Sequence, residues 1–127
     1  GEAMKALCSH CAARMSWTGD MSLETECGSC GRPGGMRPDV VWFGESLPRA
    51  TLESAVTASR ACQVYFSVGT SGMVQPAAAL AHAARNNGSV VVEVNAEPTP
   101  LTPKVDFAFH GKSGEILPEL VRTVWGK

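Results

Sequence analysis

The sequence predicts an α/β fold built on a parallel sheet, and three observations carry that expectation. Short runs rich in Val and Phe recur at Val40–Phe43, Val64–Val68, Val90–Val94 and Val105–Phe109, about the length of buried strands and bounded by turn residues. Segments with apolar residues three and four apart, the period of a helix face, lie between and after them. Crossovers of this length are what parallel neighbours need. Ahead of this pattern the composition is different, so residues 1–37 are expected to form a small cysteine-rich module and residues 38–127 the sheet domain.

In chain order, the stretch from Cys8 to Met36 carries four of the five cysteines and lacks the apolar runs needed for a hydrophobic core of its own. The first strand, Val40–Phe43, leads to a helix over Pro48–Ala61, where Leu52, Ala55, Val56 and Ser59 share one face and Pro48 suits the first turn. After Val64–Val68 an Ala-rich helix is expected over Gln75–Asn87, opened by Pro76 and stopped by Gly88. Two strands follow, then a last helix over Leu117–Trp125 with Leu117, Leu120, Val121 and Val124 as its stripe.

Charge excludes several classes of function. With 18% charged residues, 44% hydrophobic residues and a net charge of −1, the chain has neither the composition of a disordered tail nor the basic footprint of a nucleic-acid binder. No stretch is long and apolar enough to span a membrane, and Gly1–Lys5 has no apolar signal core, so a soluble cytoplasmic protein is expected. Gly1 in place of Met reads either as a residue left by cloning or as a cut chain.

Two motifs carry chemistry. Cys8-x2-Cys11 and Cys27-x2-Cys30 are separated by 15 residues, a spacing at which two cysteine pairs close on one tetrahedral zinc; two disulfides are the other arrangement these residues allow. Four sulfurs leave no open position, so the metal would be structural. Gly28 and Gly31 would let amides fold toward the thiolates, and Lys5, Arg14 and Arg32 could offset their charge. His10 reads as a surface residue and Cys62 as a small buried one. The second motif lies at strand ends, where open parallel sheets bind ligands. Gly69-Thr70-Ser71-Gly72 directly follows one strand and Asn95-Ala96-Glu97 the next, both on the same sheet edge and suited to phosphate or sugar hydroxyls.

In order and spacing, the four cysteines, Arg37-Pro38-Asp39-Val40-Val41-Trp42-Phe43-Gly44-Glu45, Gly69-Thr70-Ser71 and Asn95-x-Glu97 resemble the carboxy-terminal half of a sirtuin, an NAD-dependent protein lysine deacylase of the bacterial and mitochondrial class. The resemblance runs from about Cys8 to Val124. It implies a structural zinc on Cys8, Cys11, Cys27 and Cys30, followed by the second half of a Rossmann-like NAD-binding domain. Gly69, Thr70 and Ser71 would meet the NAD ribose and phosphates, Asn95, Ala96 and Glu97 the adenosine ribose, and Ser113 the adenine. Val41 would touch the acyl-lysine through its backbone, while Phe43, Gly44 and Glu45 would pair with the substrate peptide as an added strand.

Other family features have no counterpart here. The dinucleotide loop, the Gln-Asn-Ile-Asp type segment and the catalytic His-Gly belong to an upstream half, as do the residues that select acidic acyl groups. Only seven residues precede Cys8, and none is His. His110-Gly111 has the right letters after the last strand, the wrong place, and His82 falls inside a helix, so no catalytic residue is assigned. The resemblance implies acyl transfer from lysine to ADP-ribose with release of nicotinamide, on acylated protein or peptide substrates, by a protein whose amino-terminal half is missing from this sequence. The alternative, a non-catalytic zinc-ribbon interaction module, accounts for the cysteines but leaves both strand-end segments without a use.

Overall fold

The structure, a computed structural model, describes residues 2–126, apart from the side chain of Ala3. They fall into two compact units, Gly1–Leu47 and Pro48–Lys127.

The first unit is a three-stranded antiparallel sheet in the order β2-β1-β3, with β1 at Glu2–Cys8, β2 at Arg14–Ser16 and β3 at Met36–Asp39. Leu7 pairs with both Arg14 and Arg37, and the register slips between Glu2 and Ala6. Pro38, which has no amide proton to give a ladder, is tolerated because β3 is an edge strand. The expected strand Val40–Phe43 does not form. The strand lies four residues earlier, and the chain beyond it turns at Trp42–Glu45, where Glu45 N–H donates to the Trp42 carbonyl at 3.0 Å. Gly44 has φ +89, a backbone conformation that favours glycine at the third position of such a turn.

The unit does have a small core, contrary to the expectation that it could build none. Ala6, Cys8, Cys27 and Met36 are buried, with Met15, Trp17 and Met21 packed against them. Half of its fully enclosed members are cysteines.

Both C-x2-C segments fold in the same way. The carbonyl of the first cysteine accepts the amide four residues on, Ala12 N–H to Cys8 O at 2.8 Å and Gly31 N–H to Cys27 O at 2.7 Å. Its own amide donates five residues ahead, to Ala13 O at 2.9 Å and Arg32 O at 3.0 Å. The residue after the second cysteine is left-handed in both, φ +59 at Ala12 and +69 at Gly31. Gly31 meets that demand without strain, whereas Ala12 does not.

In the second unit β4 (Val64–Val68), β5 (Val90–Asn95) and β6 (Phe107–His110) form a parallel sheet in that order. Register places Ser67 beside Glu93 and Glu93 beside Ala108. α1 (Arg49–Ala61) packs against α2 (Ala79–Asn86), and α2 against β4 and β5. α2 starts four residues later than expected because residues 75–78 form turns, with Ala79 N–H reaching back only to Pro76 O. Gly88, φ +87, closes it in the expected way, its amide donating to Arg85 O. β6 begins at Phe107 and not Val105, since Asp106 brackets Val91 instead: its amide donates to Val91 O and its carboxylate accepts Val91 N–H. α3 (Ser113–Trp125) starts a turn before the expected Leu117, and Pro118 lies within it. Among the described residues no helix is long and apolar enough to cross a membrane.

The strained Ala12 gives a direct test of the paired turns. Ala12→Gly is expected to stabilise the protein by up to about 1 kcal/mol and Gly31→Ala to destabilise it by about 1 kcal/mol, read from denaturant midpoints. Equal effects of the same sign would contradict the left-handed geometry at these two positions.

Candidate metal centre and nucleotide cleft

The two turns bring the four cysteine sulfurs together. Cys8, Cys11, Cys27 and Cys30 place their Sγ atoms within 4.8 Å of one another. The pairs Cys8–Cys30 and Cys11–Cys27 stand 3.9 and 3.8 Å apart, nearly twice the length of an S–S bond. A zinc with Zn–S bonds of about 2.3 Å has tetrahedral edges of about 3.8 Å, so the set fits a metal and not two disulfides. Electrostatics agree. The Cys27 thiol is lowered to about 6, chiefly because the Cys30 and Ser29 amides point at its sulfur. The Ala13 amide acts to lower Cys11 too, but desolvation and the neighbouring sulfurs together push it up to about 11. The neighbouring sulfurs thus act in opposite directions on these two thiols, raising Cys11 and lowering Cys27.

The expected cationic support is mostly engaged elsewhere: Lys5 pairs with Glu2 at 2.8 Å and Arg14 with Asp39 at 2.9 Å. His10 lies outside the sulfur cluster, its Nε2 3.2 Å from Pro33 O. Cys62 is only half-buried and donates to Ser59 O at 3.2 Å.

In the same unit, Arg37 clasps the turn at residues 42–45. Its guanidinium bonds both oxygens of Glu45, donates to Val40 O at 2.8 Å, and lies 4.1 Å over the Trp42 ring. Glu45 also accepts Trp42 N–H at 3.0 Å. The Arg37 hydrogen bonds, then the Trp42 amide, hold the Glu45 carboxyl down at about 2. Val41 is part-exposed and Phe43 stands 93% exposed at the turn's apex. The Phe43–Glu45 backbone is thus bent, and the Glu45 side chain is committed to Arg37.

At the carboxyl ends of β4 and β5 lies a cleft of about 300 Å³ whose walls include Gly69, Thr70, Ser71, Asn95 and Glu97. Thr70 Oγ1 accepts Gly72 N–H at 3.2 Å and Ser71 Oγ accepts Met73 N–H at 3.4 Å. Each hydroxyl proton is left to donate to a ligand oxygen. Asn95 plays an internal part: its Nδ2 donates to Thr70 O at 2.7 Å, tying the two walls together. Ala96 sits between the wall residues, its amide held by Asn95 Oδ1 at 3.0 Å. Ser113 opens α3 at the same sheet edge but outside the cleft wall. Met73, Pro98, Thr99 and Pro100 complete the cleft and were not singled out from sequence; their signal was proximity to the two motifs. A more enclosed cavity of about 260 Å³ shares Thr70 and is bounded by Tyr65, Ser67 and Leu101. Burial, and secondarily Cys62, pushes the Tyr65 phenol up.

The Sir2 family profile matches residues 1–76, more than half of the sequence. The chain belongs to the Sir2 family. It is 43% identical over 111 residues to an NAD-dependent protein deacylase of Pyrococcus furiosus, covering 87% of this chain and 43% of that protein. A Sir2 homologue solved with NAD superposes with a TM-score of 0.89 at 36% identity, and a mutant Sir2 homologue solved with ADP-ribose with 0.90 at 36%. Both cover 98% of this Sir2 chain, and 48% and 50% of the solved chains. This Sir2 chain spans under half the length of the curated relatives it matches.

Two outcomes follow from these sites. Metal analysis should return about one zinc per chain, and chelation should abolish the ordered amide pattern of β1 and β3, since Cys8 and Cys27 are half of the buried cluster. Retention of that pattern in metal-free protein with reduced thiols would refute the site. For the clasp, the folded-state value of Glu45 lies below the ordinary one. Its contribution is therefore complete above about pH 4.5 and lost as pH falls through about 2. Carboxyl-carbon NMR should find Glu45 still ionised near pH 4, where exposed glutamates are about half protonated, and Arg37→Gln should return it to their range.

Proposed function

We propose that this chain supplies the zinc module, within the unit Gly1–Leu47 and not ending at the expected residue 37, and one wall of the NAD-binding domain, the unit Pro48–Lys127, of a protein lysine deacylase. The observation that carries the reading is the meeting of Gly69–Ser71 with Asn95–Glu97 in one cleft, in a chain of the Sir2 family. NAD, when bound, supplies the ribose carbon attacked by the acyl oxygen and the ADP-ribose that takes the acyl group as nicotinamide leaves. Thr70 and Ser71 donate their free hydroxyl protons toward ribose or phosphate oxygens. Glu97 accepts from adenosine ribose hydroxyls, Asn95 and Ala96 shape that wall, and Ser113 serves the adenine side.

The acyl-lysine substrate, carried on a protein or peptide, meets the Val41 backbone. Because Trp42 O and Glu45 N are joined across the turn, a peptide strand pairs through the groups this bond leaves free at Phe43 and Gly44. Zinc on Cys8, Cys11, Cys27 and Cys30 is structural and takes no part in a step. The histidines do not suit the role of base: His82 is exposed on α2, His110 is exposed at the end of β6, and His10 rests against Pro33. The base and the pyrophosphate loop come from an amino-terminal half outside this sequence. That half covers the apolar groove of about 470 Å³ between the sheet and α3, walled by Phe66, Val92, Phe107, Leu117 and Val121. Neither nucleic acid nor a membrane is a partner, and the protein works in the cytoplasm.

Titrating the labelled chain with ADP-ribose should move amides at 69–71 and 95–97. Ser71→Ala and Asn95→Ala should each weaken the midpoint by an amount equal to about 0.5–1.5 kcal/mol, with the rest of the spectrum unchanged. No response at either segment would end this reading of the cleft. With NAD and acetyl- or succinyl-lysine peptides, the 127-residue chain should show no turnover above background, for a positioned base contributes roughly a hundred- to ten-thousandfold. Turnover abolished by His110→Ala would instead make His110 the base.

A further inference from the structure

Glu93 is an acid in the middle of the apolar run Val90–Val94, and it is 1% exposed. No cation pairs with it among the described residues. A buried carboxylate is costly unless its oxygens are bonded, and here each oxygen takes one hydroxyl, Thr99 Oγ1 on Oε1 and Thr102 Oγ1 on Oε2. Those hydroxyls are in turn acceptors for loop amides. Thr99 N–H donates to Thr102 Oγ1 at 2.7 Å, and Leu101 N–H to Thr99 Oγ1 at 3.1 Å. Every donor in this network points, directly or through one hydroxyl, toward the Glu93 carboxylate.

The network ends in the cleft. Thr99 is both a partner of Glu93 and a wall residue, flanked by Pro98 and Pro100, which are wall residues too. The loop it fixes also lies close to the segment that carries the opposite wall: a Cβ added at Gly72, between the wall residues Ser71 and Met73, would lie 3.5 Å from Leu101 Cβ and 3.9 Å from Thr99 Oγ1. Leu101 is buried.

We infer that Glu93 is a positioning residue for the nucleotide cleft, its buried carboxylate latching residues 95–102 to β5 through Thr99 and Thr102 so that both walls keep the spacing a nucleotide needs. The inference deepens the proposed function and rests on it for the identity of the ligand. A carboxylate suits this place better than an amide, because only an acceptor on both oxygens takes two hydroxyl protons while those hydroxyls stay free to receive amides.

The experiment uses the 127-residue chain with two readouts, amide hydrogen exchange and ADP-ribose titration. In Glu93→Gln and in Thr102→Val, exchange at Thr99 and Leu101 should quicken by roughly threefold to tenfold, the ratio for one hydrogen bond, while amides of the β4–β5 ladder keep their rates. The ADP-ribose midpoint should rise by a similar factor. Thr102→Ser, which restores the hydroxyl, should stay within about twofold of the parent in both readouts. Thr102→Val keeps the test open if Glu93→Gln does not fold, because Thr102 is only half-buried. Unchanged exchange at Thr99 and Leu101 in the valine variant overturns the latch. Faster exchange with an unmoved ADP-ribose midpoint overturns the positioning role. Absence of any ADP-ribose response in the parent chain overturns the reading of the cleft, and is told apart because it precedes any substitution.

Discussion

Strands that run the same way are all left at the same end, and in the second unit this requirement of parallel pairing makes a site out of segments far apart in sequence. β4 releases the chain at Gly69, β5 at Ala96 and β6 at Gly111, along one sheet edge. Each strand must then be re-entered from the opposite end, so the chain cannot turn back at once as a hairpin would. The connections are consequently crossovers that return across the sheet, and the stretches that follow β4 and β5 meet as the walls of the cleft. Register adds the rest. By pairing Ser67 with Glu93 and Val68 with Val94, it sets the two loops side by side, where Gly69 N–H reaches Val94 O at 2.9 Å and the Asn95 amide reaches Thr70 O.

The first unit depends on a different constraint, the scarcity of apolar side chains. A sheet of three short strands buries too little to be stable alone, and small domains of this kind are commonly completed by metal. Here the sulfurs serve both ends: Cys8 and Cys27 are core residues by burial and members of the four-sulfur cluster by geometry. The same economy appears in the Arg37 clasp, where one guanidinium replaces the ladder that Val40–Phe43 does not form. An exposed ion pair alone would contribute little, but this one is bidentate, stacks on Trp42 and adds the Trp42 amide to the same carboxylate. The result is a turn held tightly enough to present Phe43 to solvent, an outcome hydrophobicity by itself opposes.

These two constraints explain what could be read from the residues. Val64–Val68 and Val90–Val94 were legible because short runs rich in Val and Phe, bounded by turn residues, suit a strand even where one face stays partly open, and the cysteine set because tetrahedral geometry ties spacing to chemistry. Glu2–Cys8 was not, since its residues neither alternate nor cluster and its pairing is imposed by Arg14–Ser16 and Met36–Asp39 from outside. Val40–Phe43 misled for the complementary reason: its letters suit a strand, but the partner was taken by the residues just before it. Asn95 was placed correctly at a strand end while its bond to Thr70 O, a long-range contact, had no local signature. Glu93 did have one, an acid inside a valine run, and burial with no cation paired to it among the described residues is what gave it meaning.

The two faces of the parallel sheet show why a carboxylate can be held at that point. Side chains alternate, so Tyr65, Ser67, Val91 and Glu93 share the face on which α2 packs, while Phe66, Val92, Phe107 and Phe109 line the groove with α3. The groove face is apolar throughout and partly open, with Phe66 and Phe107 about half exposed. A polar group there would have no partner. The α2 face carries hydroxyls and a loop that folds back over the strand end, which is the environment a carboxylate requires. Function therefore follows the pleat: the face that can satisfy a charge is the one that shapes the cleft, and the face that cannot is left for packing.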